Sequence, residues 1–218
     1  MAIIGIETSY GKKTGDFLII QSLATLAFDY PRRSAFFREE LAHFLLLAKE
    51  GALDANTTKG SFAGAIGIPQ FMPSSYRRFA VDFKKKGKRD LLHDVGDVIG
   101  SIANYLNLHG WQRNGPIANK ATVSGKAYQT IAKNKVTKPH LTMQQLARYS
   151  IKLQKPQALR DKTQKANLMV LERSKDFKEY WIGFQNFYVI TRYNHSIHYA
   201  MAVYHLSQHI HTLQQGKK

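Results

Sequence analysis

The segment from Pro31 to Gly51, PRRSAFFREELAHFLLLAKEG, constrains the fold of this chain more than any other. It begins with a proline, which the first turn of a helix tolerates, and it closes on a glycine, which commonly ends a helix. Its apolar residues recur at steps of three and four, at Phe36, Phe37, Leu41, Phe44, Leu45 and Ala48. That spacing predicts an amphipathic helix with one buried face, so the chain needs other elements that cover this face.

Further helices are predicted on both sides of this segment. They cover residues 1–10, Asp16–Tyr30, a stretch over 75–83 capped by Ser74 or Ser75, Val95–Gly110, a short helix capped by Thr142, and residues 195–214. Four segments rich in β-branched and aromatic residues are instead predicted as strands. They are residues 121–125, 127–132, 166–174 and 185–194.

The order of these elements predicts an α+β fold that is mainly α. We expect a single domain over 1–218, in which 1–111 and 191–218 form a helical body and approximately 112–190 form a smaller mixed α/β lobe. The hydrophobic content of 44% supports a packed core. The chain has no cysteine, so disulfide bonds contribute nothing to that fold.

The charge of the chain indicates which partners it favours. Lysine and arginine outnumber aspartate and glutamate by 32 to 15, which gives a formal net charge of +17. Such a basic protein favours an anionic partner: nucleic acid, a membrane surface or an acidic polymer such as a cell wall. The longest basic run, Lys84 to Arg89, has neither a basic helix nor a nucleic-acid-binding fold around it, so a solvated loop is the simpler interpretation. No apolar run approaches the ~20 residues of a membrane-spanning helix.

One acidic residue stands apart from the other charges. Glu7 lies in AIIGIETSYG (Ala2 to Gly11), where every other residue is uncharged. An apolar pocket raises the pKa of a carboxyl group by desolvating its charged form, and a general acid needs such a raised pKa near neutral pH. The spacing fits a glutamate on the surface of a helix equally well, so both interpretations remain open.

A glycine-rich loop follows in the sequence GSFAGAIGIPQFMPSSY (Gly60 to Tyr76). Its glycines and prolines predict irregular structure, and the residue order of a phosphate-binding loop is missing. The aromatic rings, together with the polar groups of Ser61 and Gln70, are typical of a sugar-binding cleft, where rings stack and amides orient hydroxyl groups. A loop that is merely well packed is the alternative.

Five segments together resemble the catalytic domain of the membrane-bound lytic murein transglycosylase B family. They are AIIGIETSYG, LATLAFDYPRR, KGSFAGAIGIPQFMPSSY, IGSIANYLNLHGW and FYVITRYNHSIHYAMAV. They occur in the order of the family, and they span Ala2 to about Leu213. The resemblance implies a lysozyme-like fold, a monomer, a periplasmic or cell-envelope location, and peptidoglycan glycan strands as the partner rather than nucleic acid.

In this family one glutamate acts as both acid and base, and the resemblance gives that role to Glu7. It would protonate the oxygen of the β-1,4 bond between N-acetylmuramic acid and N-acetylglucosamine, and then take the proton of the muramic acid C6 hydroxyl. That oxygen closes on C1 and leaves a 1,6-anhydromuramoyl end. Most hydrolytic glycosidases use a second carboxylate. No partner motif is evident, although spacing leaves Asp16 and Asp29 open.

The resemblance also implies which residues line the saccharide cleft. The matching positions are Ser61, Gln70, Tyr105, Tyr193, Asn194 and Tyr199. Ser61 and Gln70 would hold sugar or water near the acid, the tyrosines would line saccharide subsites, and Asn194 would orient an acetamido group. Phe36 stands where members of the family can carry tyrosine, so the ring surface is kept and a hydroxyl group is lost.

Some relatives carry a calcium loop that is altered here. The aspartate loop, DFKKKGKRDLLHD (Asp82 to Asp94), keeps aspartate at position 1 and Gly87 at position 6 of an EF-hand-like loop. Positions 3 and 5 are Lys84 and Lys86, and lysine has no acceptor atom for a cation. We therefore expect no metal and no cofactor, with ammonium groups in place of the charge of the ion.

Relatives of this kind usually have a longer segment before the catalytic helix, so the chain is expected to be short at its N-terminus. We expect weaker support for the helix of Glu7 as a result. Neither a signal peptide nor the cysteine of a lipid-attachment motif is visible. The alternative function is therefore that of a truncated, weakly active or inactive relative that binds peptidoglycan.

Overall fold

The computed structural model describes residues 1–132, 136–154, 163–174 and 177–216. The chain divides into two compact units, Met1–Tyr105 and Leu106–Lys218, here called unit 1 and unit 2. Its helices and its small antiparallel sheet confirm the predicted α+β, mainly α, fold. The expected division into a body and a lobe over approximately 112–190 stays a prediction.

Unit 1 is mainly helical. Its elements are α1 (Ala2–Thr8), β1 (Phe17–Leu18), α2 (Ile19–Phe28), a 3₁₀ turn (Pro31–Arg33), α3 (Ser34–Lys49), β2 (Lys59–Gly60), α4 (Pro73–Phe79) and α5 (Val95–Leu108), the last of which continues past the boundary of the unit. The helices predicted around 1–10, Pro31–Gly51 and Val95–Gly110 are confirmed. The helix predicted from Asp16 begins only at Ile19, because Phe17 and Leu18 pair with β2.

The buried face of α3 differs from the predicted one. Phe37, Glu40, Phe44 and Leu47 are buried, whereas Leu45 is 49% exposed. Glu40 belongs to this face because its carboxylate accepts hydrogen bonds from the backbone N–H (2.8 Å) and the hydroxyl (2.6 Å) of Ser74. The predicted capping of α4 by Ser74 or Ser75 is therefore wrong. The helix begins at Pro73, and its first turn is held by a glutamate from α3.

Unit 2 contains a five-stranded antiparallel sheet in the order β4-β6-β7-β3-β5. Its elements are β3 (Ala118–Val123), a 3₁₀ turn (Ala127–Thr130), β4 (Leu141–Thr142), α6 (Met143–Arg148), β5 (Ile151–Leu153), β6 (Lys165–Ser174), β7 (Phe177–Gly183), α7 (Gln185–Tyr193) and α8 (Ile197–Gln215). The predicted cap is confirmed, because Thr142 and Gln145 form a reciprocal capping box at the start of α6. A core of buried side chains around Leu146, Ile151 and Phe184 joins α6 to the sheet.

Two of the predicted strands are helical. Residues 127–132 include a 3₁₀ turn, and residues 185–194 include helix α7. The β-branched and aromatic residues of α7 favoured a strand, but its side chains are buried on one helical face, as at Phe187 and Ile190. Asn186 fixes this helix, because its side-chain oxygen accepts the N–H of Gln112 (2.7 Å) and its side-chain nitrogen donates to the carbonyl oxygen of Gly115 (3.0 Å). None of the described helices is both long and apolar enough to cross a membrane.

Candidate active site

The predicted catalytic glutamate lies near the end of α1. Glu7 is half-buried, while Ile3, Ile4 and Thr8 on the same helix are buried. The helix ends directly after Thr8, where Ser9 adopts a left-handed conformation with φ 50°. Ile3 and Ile4 precede Glu7 by four and three residues, so the carboxylate lies in the last turn on the same side of the helix as these buried side chains.

Thr8 joins this helix to the glycine-rich loop. Its hydroxyl donates to the carbonyl oxygen of Ile68 (2.9 Å), with a longer approach to that of Ile4 (3.3 Å), and it accepts the N–H of Gly11 (3.0 Å). Thr8 is only 1% exposed, although its bonds to Ile68 and Gly11 lie in a partly buried setting. The sequence offers no signal for this role beyond the position of Thr8 next to Glu7.

Gln70 stabilises the glycine-rich loop from within. It has a left-handed backbone with φ 54°, which costs free energy for any residue other than glycine. Its side-chain Nε2 donates to the carbonyl oxygens of Thr14 and Gly67, both at 2.9 Å. These two bonds hold the strained residue in place, and they leave the side-chain Oε1 as the group that can accept a bond from a sugar.

Ser61 builds the tight turn at the start of this loop. Its Oγ accepts the N–H of Ala65 (2.9 Å), its own N–H donates to the carbonyl oxygen of Ala65 (2.9 Å), and its carbonyl oxygen accepts the N–H of Gly64 (3.0 Å). The hydroxyl proton of Ser61 is not used in these bonds. Ser61 can therefore donate to a ligand while it keeps the turn closed.

The rings of Tyr105 and Phe36 have different surroundings. Tyr105 is 8% exposed and packs against Phe79 at 4.7 Å and Phe71 at 5.7 Å between ring centroids, so it supports the glycine-rich loop from the core. Phe36 is half-buried, and the guanidinium of Arg33 lies 4.4 Å from its ring centroid. One face of Phe36 is thus already covered by a cation, which limits the stacking that the sequence predicts for it.

The three remaining predicted residues lie together in unit 2. The rings of Tyr193 and Tyr199 are stacked, with centroids 6.5 Å apart and planes 6° from parallel. Asn194 is exposed between them in the chain, where α7 ends and α8 begins. Ser196 fixes this turn, because its N–H donates to the carbonyl oxygen of Asn194 (2.7 Å) and its Oγ accepts the N–H of Tyr199 (3.2 Å).

A family comparison identifies the chain. The sequence profile of the Transglycosylase SLT domain matches residues 1–208. The chain belongs to this family. It is 44% identical over 208 residues to the membrane-bound lytic murein transglycosylase B of Escherichia coli K12, with 95% of this chain and 55% of that protein covered. It thus spans about half the length of this relative, and the resemblance stated from the sequence is confirmed.

Solved structures of relatives have the same fold as this SLT domain. The soluble lytic transglycosylase SltB1 of Pseudomonas aeruginosa matches with a TM-score of 0.89 and 41% identity, over 98% of this chain and 69% of that one. The lytic transglycosylase Slt35 of Escherichia coli, solved in complex with calcium, matches with a TM-score of 0.83 and 43% identity, over 95% and 63%. The lysozyme-like fold implied by the sequence is therefore confirmed.

The aspartate loop of this SLT domain is held together by its own charges. Lys86 Nζ donates to Asp94 Oδ2 (2.8 Å), and the N–H of Gly87 donates to Asp82 Oδ2 (2.6 Å). The hydrogen bond from Lys86 lowers the pKa of Asp94 to about 2, and the same bond raises the pKa of Lys86. Hydrogen bonds from backbone N–H groups lower the pKa of Asp82, and the N–H of Lys86 has the largest effect.

Hydrogen bonds occupy most carboxylate oxygens of this loop and of Asp97, which follows it. Asp97 is 2% exposed, and its two oxygens are taken by the N–H groups of Phe83 and Asp90, each at 2.9 Å. Within the described part of the chain, only Asp82 Oδ1 is a buried side-chain oxygen without a hydrogen-bond partner. Calcium takes six to eight oxygen ligands. Across the residues that the structure describes, no group of three or more histidine, aspartate or glutamate side chains is placed to hold a metal.

Proposed function

We propose that this SLT domain is a lytic transglycosylase that cleaves the β-1,4 bond between N-acetylmuramic acid and N-acetylglucosamine in peptidoglycan. Family membership supports the class of enzyme. The observation that carries the proposal is the hydrogen bond from Thr8 to Ile68, because it fixes the helix of Glu7 against the loop that presents Ser61 and Gln70. The net charge of +17 favours retention on an anionic wall polymer, in the periplasm or cell envelope.

Glu7 acts first as an acid and then as a base. Its proton goes to the glycosidic oxygen as the bond to C1 breaks, and the carboxylate that remains takes the proton of the C6 hydroxyl as that oxygen bonds to C1. No water is consumed, so the product ends in a 1,6-anhydromuramoyl group. Asp16 and Asp29 are exposed at opposite ends of α2, which does not favour either as the second carboxylate of a hydrolase.

Digestion of purified peptidoglycan sacculi, followed by mass spectrometry, tests this proposal. We expect soluble muropeptides with anhydro ends from the wild type, and at least a hundredfold slower release from Glu7→Gln, which keeps the shape of the side chain without its acidic proton. Products with reducing ends would indicate a hydrolase. Binding to sacculi without soluble products would instead indicate a binding module.

We also propose that the aspartate loop works without calcium, with Lys86 in the place of the ion. The contact between Lys86 Nζ and Asp94 Oδ2 at 2.8 Å supports this. Thermal unfolding should give the same Tm in millimolar calcium and in a calcium chelator. A rise in Tm with calcium would contradict the proposal, because a ligand that binds only the folded state stabilises it.

A further inference from the structure

A groove on unit 1 lies outside the residues that the family resemblance assigns. It runs along the outer side of α2 and has a volume of about 550 Å³. The residues that line it include Phe17, Gln21, Ser22, Thr25, Leu26 and Phe62. Ser61, which precedes Phe62, connects this groove in sequence to the predicted saccharide contacts.

Two phenyl rings are displayed to solvent at this groove. Phe17 is 58% exposed and Phe62 is 70% exposed, although phenylalanine is usually buried. Strands β1 and β2 bring the two rings to the same groove, because Phe17 pairs with Gly60, two residues before Phe62. Exposed aromatic faces next to polar groups are a common feature of binding sites.

The backbone on either side of Phe62 packs closely against its neighbours. A Cβ atom at Gly15 would lie 2.1 Å from the carbonyl oxygen of Gly60, and one at Gly64 would lie 2.3 Å from Cδ2 of Leu23. Only glycine permits such close approach at these two positions. The turn that carries Phe62 is therefore pre-organised, which lowers the entropic cost of binding a ligand.

Polar side chains of α2 face the same groove. Gln21, Ser22 and Thr25 lie on the helix next to its buried face of Ile19, Leu23 and Ala27. Serine and threonine inside a helix often bond to the carbonyl oxygen four residues earlier. In the described part of the chain, no hydrogen bond engages these three side chains, so their polar groups are free for a ligand.

The charges at the groove indicate what kind of ligand it accepts. Asp16 is the one ionisable residue among the described residues that line it, although the chain has a net charge of +17. An anionic ligand would be repelled by Asp16, and none of the lining residues that the structure describes is basic. A neutral ligand with an apolar face and several hydroxyl or amide groups fits the rings and the polar side chains together.

We propose that this groove binds a neutral N-acetylglucosamine unit of the glycan strand. The apolar face of the sugar lies on Phe62 or Phe17, and its hydroxyl and acetamido groups bond to Gln21, Ser22 and Thr25. Muramic acid units fit less well, because the free lactyl group, or the peptide amide-linked to it, brings carboxylates close to Asp16. This inference rests on the proposed function, and it deepens it by adding a sugar subsite to the predicted cleft.

Calorimetric titration with a tetramer of N-acetylglucosamine tests the groove. The Glu7→Gln background prevents cleavage during the measurement. In that background we expect Phe62→Ala and Phe17→Ala each to weaken binding about five- to tenfold, and Thr25→Val to weaken it a few fold. Phe62→Trp keeps an aromatic face and should bind about as well as the parent.

Phe28→Ala is the matched control. Phe28 lies at the end of the same helix and is 64% exposed, but it does not line the groove. Its removal should leave tetramer affinity unchanged. Equal affinity of the parent, Phe17→Ala and Phe62→Ala for the tetramer would overturn the proposal, and so would capture of a sugar-free stem peptide that Phe62→Ala abolishes.

The two proposals fail in different ways. Anhydro products from wild-type sacculi, together with tetramer affinity that is unchanged in Phe62→Ala and Phe17→Ala, would support the proposed reaction and contradict the proposed sugar subsite. Tetramer binding that depends on both rings, without any soluble product from sacculi, would support the proposed sugar subsite and contradict the proposed reaction.

Discussion

Two loops of unit 1 are held in place by different kinds of interaction. In the glycine-rich loop, neutral side chains bond to the backbone: Thr8 to Ile68, Gln70 to Thr14 and Gly67, and Ser61 to Ala65. In the aspartate loop, carboxylates accept backbone N–H groups, and an ammonium group pairs with one of them.

This difference separates the two loops in their response to solution conditions. The anchors of the glycine-rich loop carry no titratable group, so neither pH nor salt should act on them directly. The pair of Lys86 and Asp94 is electrostatic, and it is open to water on the lysine side, where the side chain is 58% exposed. The side of unit 1 that carries Glu7 is thus held by contacts that should keep their geometry as pH and salt vary.

Among changes to the contacts that hold the two loops, Thr8→Val should have the largest effect. Valine keeps the shape of threonine but leaves the partly buried carbonyl oxygen of Ile68 and the N–H of Gly11 without their partner. We expect a loss of about 1–3 kcal/mol in the free energy of unfolding. Release of muropeptides from sacculi should fall more than tenfold, since small misplacements of a catalytic group are costly.

Thr8→Ser is the control for this substitution, because it restores the hydroxyl. Urea unfolding and digestion of sacculi should both return toward the wild-type values. Full activity of Thr8→Val would show that the bond to Ile68 does not position Glu7.

The second-largest effect should be a response of the aspartate loop to calcium. Replacing Lys84 and Lys86 together by aspartate returns acidic residues to positions 3 and 5 of the loop. We expect the Tm of this double variant to rise with millimolar calcium, whereas the wild type does not respond. A double variant that remains indifferent to calcium would show that other parts of the loop have also lost the geometry of a calcium site.

The fold was largely predictable from the sequence, because it follows local patterns. Helix α3 follows a 3₁₀ turn that begins at Pro31, it ends two residues before Gly51, and its apolar residues have a period of three to four; all three signals are local. Helix α7 was misjudged, because its β-branched content favours a strand. The bonds of Asn186 to Gln112 and Gly115, far away in sequence, are what tie α7 down.

The candidate site was predictable only as a set of residues. The resemblance named Glu7, Ser61 and Gln70, but a sequence cannot show that the amide of Gln70 already serves the backbone, or that Arg33 covers one face of Phe36. These contacts depend on tertiary packing. The groove at Phe62 was missed for the same reason, because it depends on a strand pairing between short segments.

The smallest effect should be the pH dependence of the aspartate loop. The pKa of Asp94 is lowered from 3.8 to about 2 in the folded state, and the hydrogen bond from Lys86 is the largest cause. Its stabilisation is therefore complete above pH 3.8 and is lost as pH falls toward 2. The raised pKa of Lys86 acts in the opposite direction, so that its contribution is complete below 10.5 and is lost at higher pH.

Asp94→Asn isolates this charge, because asparagine keeps an oxygen for the N–H groups of Gly96 and Asp97 at the start of α5. Between pH 5 and 2, the wild type should lose more stability in urea than Asp94→Asn does. The difference in lost stability between the wild type and Asp94→Asn should be smaller at 1 M salt, where exposed ion pairs are screened. Parallel pH profiles for the two proteins would mean that the ion pair contributes nothing, and that the hydrogen bonds from backbone N–H groups to the carboxylates hold this loop.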